Sequence, residues 1–360
     1  MKLNPEQVLG YAKRFRWQIA IGTVFVVLLC TIVLWLVLSG ATRSHNDKNN
    51  TGQVFQIPTS TEALTERRLD GVLVSPSIAT LAPRAVMIEN HPDARPVSGL
   101  SKASIVIEAP VEGGITRYMA LFAASTTLPQ VGPVRSARPY YVDWADAWNA
   151  PYFHVGGSPE ALTKISSMAG FTDVNEFAQG NSFWRDTTRY APHNVYTKDE
   201  LMDAVVAKKG AASSTAPLAW HFQDAASSTD RGELDGPRVP YGGSFNVRWA
   251  FEKERGVYVR SLSGVEQKDR DGSSIESENV IVIKTEQTIL DSYGRLQVRT
   301  TGSGQAMAYR DGKKFNLRWR RSAGEPIRFE STDGTEFLFT RGRTWIEVTT
   351  SDVIFGGVGG

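Results

Sequence analysis

The feature that most constrains this chain is an uninterrupted apolar run, IAIGTVFVVLLCTIVLWLVL, from Ile19 to Leu38. As a helix rising about 1.5 Å per residue, it would reach about 30 Å, the thickness of the hydrocarbon layer, so one membrane crossing is expected. It exceeds the roughly 7–15 residues of a secretory apolar region, which favours an uncleaved anchor. Lys2, Lys13, Arg14 and Arg16 precede the run, whereas only Arg43 and Lys48 follow it closely. Positive charge marks the cytoplasmic flank, so residues 1–18 are expected inside and residues beyond the span outside, with Trp17 and Trp35 near the interfaces. Cys30 lies mid-run behind Leu29, where a lipidation signal needs a small residue, so its thiol is read as inert and membrane-buried. It is the chain's single cysteine, which leaves the exterior without disulfides or thiol catalysis.

Residues 39–70 are polar and aperiodic, as a linker is. From 71 to 235, short β-like runs (RAVMIEN, ASIVIEAP, RYMALFAAS, YFHVGG) interleave with helical stretches (PYYVDWADAWN, PEALTKISSM, KDELMDAVVAKK), which argues a mixed α/β unit. Its last part, from about 209, loosens into Ala, Ser and Thr, although Trp220 and Phe222 imply that some of it docks. From 240 to 352 the period changes to two, in FNVRWAF, NVIVIK, RLQVRT and RTWIEVTT, with Asp-Gly pairs at 271, 311 and 333 that suit hairpin turns. That half is expected to be an antiparallel β unit, followed by a Gly-rich tail at 353–360. The expected fold class is therefore α+β, two units preceded by one transmembrane helix. The formal net charge of +2 provides no basic field for nucleic acid.

The blocks VMIENHPDARPVSGLSKASIVIEAPVEGGITRYMALF, GPVRSARPYYVDWA, YFHVGGSPEAL and APHNVYT, followed by ENVIVI, GSGQA and RTWIEV, resemble the YerB-like family of lipoproteins. These carry a two-part domain of unknown function, DUF3048, and the resemblance covers roughly 72–350. It implies a surface location and two units, and it brings no reaction with it. The tether departs from the pattern, since relatives often use a lipidated cysteine.

Within these blocks, charged residues recur beside Gly and Pro, the loop positions at which scaffolds present functional groups. Arg135 and Arg138 flank Ser136 ahead of Pro139, which can open a helix, so two guanidinium forks at a helix start form an anion receptor. The competing reading is an ion network with Glu108, Glu112 or Asp143. Glu108 and Glu112, in EAPVEGG, are the acid/base candidates, the pairing that glycoside cleavage uses. Their bland alternative is neutralisation of Arg117, Arg135 and Arg138. His154, before Gly156-Gly157, and His193, beside Asn194, would orient substrate or relay protons, or else serve as core and turn supports. Arg117, Ser136, Asn194 and Arg185 complete the ligand set. Ser136 lacks a G-x-S-x-G setting, so a nucleophilic role is disfavoured. The neighbouring Trp and Tyr residues could stack on sugar rings, although most should be core. His91, His154 and His193 show no metal-ligand spacing, and no metal or other cofactor is expected.

The expected function is recognition or processing of an anionic cell-envelope glycan or peptide in a loop cleft of the N-terminal unit. The alternatives are a non-catalytic envelope scaffold and, behind it, a metal-dependent hydrolase.

Overall fold

Strands that are apolar in both phases must be covered on both faces, and runs such as AVMI, SIVI, YMALF and VIVI meet that condition. The computed structural model describes residues 63–350. The first half supplies β1 (Arg84–Glu89), β2 (Ile105–Pro110), β3 (Thr116–Phe122), β4 (Tyr152–His154) and β5 (Asp173–Asn175). Besides a single helical turn at Pro76–Ala79, three short helices accompany them: α1 (Pro139–Asp146), α2 (Pro159–Ser167) and α3 (Asp199–Lys208). The second half supplies β6 (Val247–Glu252), β7 (Val257–Leu262), β8 (Asn279–Lys284), β9 (Gln287–Ile289) and β10 (Leu296–Val298). It continues with β11 (Gly302–Arg310), β12 (Lys313–Arg321), β13 (Arg328–Glu330) and β14 (Thr344–Thr349).

Ten of these strands form one sheet in the order β13-β12-β11-β8-β14-β2-β3-β1-β4-β5. The two halves join where β14 pairs in parallel with β2, placing Glu347 opposite Glu108. Alternate side chains enter two cores. On one face Met87, Ile107, Met119, Ile281 and Ile346 pack with Tyr140 and Trp144 of α1 and Ile165 of α2. On the other, Val86, Val106, Tyr118, Val280 and Trp345 pack with Met202 and Val205 of α3 and with Trp249 and Tyr258. The last two belong to a second, five-stranded sheet built on β6 and β7.

Local sequence chemistry accounts for the element ends. Proline opens both α1 and α2, and the Ser158 hydroxyl caps α2 by accepting from Ala161 N at 3.3 Å. Asp311 and Gly312 both have positive φ, 51° and 67°, the turn that closes the β11–β12 hairpin. In GSGQA, Gly304 is required by packing: a Cβ there would lie 2.5 Å from the Trp319 ring nitrogen. Trp220 docks as its composition suggested, stacked on Phe339 with centroids 4.3 Å apart.

The expected α+β class is corrected here. The described residues are mostly β-sheet with few helices, and strands of both sequence halves share one sheet rather than forming an α/β unit beside a β unit. Interleaved strands and helices read locally as α/β, but the three longest helices among the described residues are only 8, 9 and 10 residues long and cover parts of a sheet that the C-terminal strands complete. Among the described residues no helix is long and apolar enough to cross a membrane. The segment 19–38, expected to do so, lies outside the described residues.

Candidate functional site: a charged edge of the sheet

β1, β2, β4 and β14 run in one direction and β3 runs against them, so four strand ends and the start of β3 meet at one edge. Glu89, Glu108, His154, Glu347 and Arg117 all stand there. The loops that leave this edge carry the sequence blocks singled out above.

The inner part of the edge is closed. Glu108, Arg260 and Glu347 are all fully buried. Glu108 accepts from Thr116 Oγ1 at 2.5 Å, from Asn90 Nδ2 at 3.3 Å and from Arg260 Nη2. Arg260 also donates to Gln267, and its guanidinium sits 4.6 Å from the centroid of the Trp345 ring. Glu347 accepts from Trp249 Nε1 at 2.9 Å, while Arg260 Nε stands 3.7 Å away. Two carboxyls thus face one guanidinium. Burial, and then the charge of Glu108, push the Glu347 carboxyl up to about 8. A protonated Glu347 also fits the hydrogen bonding. The Tyr241 hydroxyl lies 3.0 Å from Glu347 Oε2 and 3.1 Å from Val348 O, which can only accept. Tyr241 then donates to Val348 and accepts from the carboxyl.

The outer part of the edge is different. Glu89 divides its two oxygens, Oε1 against Arg135 Nε at 3.0 Å and Oε2 against His193 Nδ1 at 2.8 Å. The His193 ring stacks on His91 with centroids 5.0 Å apart. Arg138 forms a two-pronged pair with Glu112 at 2.6 and 2.7 Å. Burial alone would raise the Glu112 carboxyl, but the Arg138 hydrogen bond and charge hold it below the usual carboxylate range.

Arg117 is the odd member. It is 7% exposed and donates from Nη1 to Ser136 O at 2.7 Å. Burial, then the charges of Arg138 and Arg135, bring its guanidinium down to about 10. Among the described residues no carboxylate forms an ion pair with it. Three guanidiniums therefore share two carboxylates, leaving one positive charge over in a largely dry place.

The structure separates residues that the sequence grouped. Glu108 is sealed against solvent and does not share an open pocket with Glu112, so the acid/base pair is not assembled. His154 is fully buried, with Nδ1 2.6 Å from Gly156 O and Nε2 2.6 Å from Asp173 Oδ1, the arrangement of a core histidine. Among the described residues no histidine hydrogen-bonds Ser136 Oγ. Arg185 pairs with Glu176 at 3.0 Å and donates to Asn194 Oδ1 at 3.3 Å, so both expected ligand contacts tie the 176–194 loop together. Tyr140, Tyr141, Trp144, Trp148 and Tyr152 are core rather than sugar platforms. Arg135, Arg138 and Arg117 do come together, as do His193 and Glu89.

Arg260 and Glu347 were not singled out from the sequence. Their signal was available: each is a charge in phase with buried strand neighbours, Tyr258 and Leu262 for Arg260 and Trp345 for Glu347. Beside the outer edge, Pro139 and Tyr140 lead from Arg138 into a cleft of about 650 Å³, also lined by Asp143, Lys164, Thr288 and Arg299. Among the described residues His91, Asp93 and His193 offer ligand atoms within 4.8 Å of one another, a donor set able to hold a metal ion.

Two family profiles match this chain: the N-terminal domain of the protein of unknown function DUF3048 over residues 69–212, and its C-terminal domain over 238–346. A relative from Bacillus subtilis (strain 168), named "Putative lipoprotein YerB", is 33% identical over 288 residues, which cover 78% of this chain and 85% of the relative. The crystal structure of the YerB protein from Bacillus subtilis superposes with a TM-score of 0.72 at 32% identity, covering 80% of this chain and 97% of that one.

Proposed function

From the premise that this chain belongs to the DUF3048 family, whose description carries no activity, we propose that it is a membrane-attached envelope protein whose outer edge binds an anionic envelope ligand, glycan or peptide. The envelope location is supported by the relative's designation as a lipoprotein. The ligand class rests on one observation: Arg117 is a buried cation without a carboxylate partner among the described residues, flanked by Arg135 and Arg138. A carboxylate or phosphate arriving there would supply the missing negative charge, and guanidinium forks bind both groups in two-pronged fashion. The role is binding rather than catalysis, because Glu108 is sealed and Glu112 is engaged by Arg138.

A second reading is a purely structural network, favoured by the neutralisation of Arg135 by Glu89 and of Arg138 by Glu112. Calorimetry of the intact chain with solubilised wall fragments separates the two. Binding by the wild type, weakened about tenfold or more in Arg135→Ala/Arg138→Ala with the fold retained, is the expected result. A wild type that binds no fragment, or a double variant that binds as well as the wild type, rejects the ligand site.

A further inference from the structure

We propose that His91, His193 and Asp93 form a binding site for a divalent transition-metal ion such as zinc, beside the proposed anion site and sharing Glu89 with it. The argument begins with the ring nitrogens. Glu89 Oε2, 2.8 Å from His193 Nδ1, can only accept when ionised, so that nitrogen carries the proton and Nε2 keeps its lone pair. A carboxylate that holds the far nitrogen of a metal-ligating imidazole is the usual outer support of such sites. Arg135 occupies the other Glu89 oxygen at 3.0 Å, so Glu89 is anchored in its orienting role.

His91 is held by a different contact. Its Nδ1 lone pair accepts the Asp93 backbone N–H at 3.2 Å, so ligation by His91 exchanges that long hydrogen bond for a nitrogen–metal bond. The Asp93 carboxylate oxygen Oδ2 lies 3.6 Å from the same atom. Two imidazoles and one carboxylate thus offer ligand atoms within 4.8 Å of one another. Ligands on a four-coordinate zinc, each about 2.0–2.1 Å from the metal, stand roughly 3.3 Å apart. The closure required is small and falls on side chains with room to move: that of Asp93 is 74% exposed and that of His91 34%. His193, at 17%, stays against Glu89.

The two loops are held in register without any ion. Arg189, four residues before His193, donates to Ala94 O at 2.6 Å and Pro96 O at 2.7 Å, just past His91. Two nitrogens and one oxygen suit zinc and its neighbours rather than calcium or magnesium, which prefer oxygen ligands throughout. His154 takes no part, since both its nitrogens are satisfied in the core.

The test uses the intact, tag-free chain after chelator treatment. Calorimetry with zinc should give one site per chain, and cobalt(II) should give the visible absorption of a low-coordinate N/O site. His91→Ala and His193→Ala should each weaken binding at least tenfold, and Glu89→Gln should weaken it by about tenfold through loss of orientation. His221→Ala, at a partly exposed histidine paired with Glu336, should change nothing. Should the loop variants fail to fold, nuclear magnetic resonance of the wild type still decides: zinc should shift the ring signals of His91 and His193 and leave His154 and His221 in place. Absence of zinc binding by the wild type overturns the proposal. So does affinity that survives both histidine variants, or ring signals that stay where they were.

Discussion

Two buried arginines of this protein, Arg117 on the ten-stranded sheet and Arg260 reaching in from the second sheet, meet the same edge and are held in opposite ways. Arg260 lies between two carboxyls under a cover of aromatic rings, and the attraction of Glu108 raises its pKa despite burial. Arg117 has two arginines for neighbours and a backbone oxygen for a partner, and its pKa is lowered. A buried charge with its counterion belongs to the architecture, whereas one without is an unfinished interaction. The contrast divides the edge into an inner part that holds the two sequence halves together and an outer part with one positive charge left over.

The largest expected effect comes from making one substitution at both positions. Arg260→Met should cost about 3–5 kcal/mol in urea unfolding, because it strands Glu108 as a buried, uncompensated charge. Arg117→Met should stay within about 1 kcal/mol of wild type, since loss of an unpaired buried cation offsets the lost hydrogen bond, while fragment binding falls. Equal costs at the two sites would erase the distinction.

The second effect is on pH dependence. Glu347 is raised above its ordinary 4.5 to about 8, so its contribution is fully present below 4.5 and drains away as pH climbs toward 8. Glu112 is lowered, so its contribution is present above the ordinary value and lost as pH falls. Thermal melts across pH should therefore show Glu347→Gln flattening the alkaline fall and Glu112→Gln flattening the acid one. The same limb altered by both variants would contradict the assigned protonation states.

The smallest effect provides the baseline. Arg255, half exposed, pairs with Glu252 at 2.9 Å and with Glu276 at 2.5 Å on the second sheet. Arg255→Ala should cost less than about 1 kcal/mol, shrinking further in high salt. A cost as large as that of Arg260→Met would mean that burial is not what separates these charges.

Much of the local structure was legible in the chain. Period-two runs became strands, Asp311-Gly312 became a hairpin turn, and proline and serine marked the helix starts, because each depends on contacts within a few residues. The clustering of Arg117, Arg135 and Arg138 was partly legible too, since loops rich in Gly and Pro leave the same strand ends. The partners of those charges were not. Glu108 was read against arginines close in sequence, yet its counterion is Arg260, 152 residues away. His91 and His193 show no metal-ligand spacing in the sequence, yet their rings stack.

By itself the sequence determined the strands, the turns, the places where charge meets a loop and the membership in a family. Only the tertiary structure decided that the two halves share a sheet, which carboxyl is sealed and which arginine is left over. The physical reason is that hydrogen-bonded turns and side-chain alternation are local, whereas desolvation and charge pairing depend on what a distant strand brings alongside. Pairing β14 with β2 set Glu347 beside Glu108 and closed Arg260 in with them. No residue near Glu108 in the chain foretold that it would serve structure rather than chemistry.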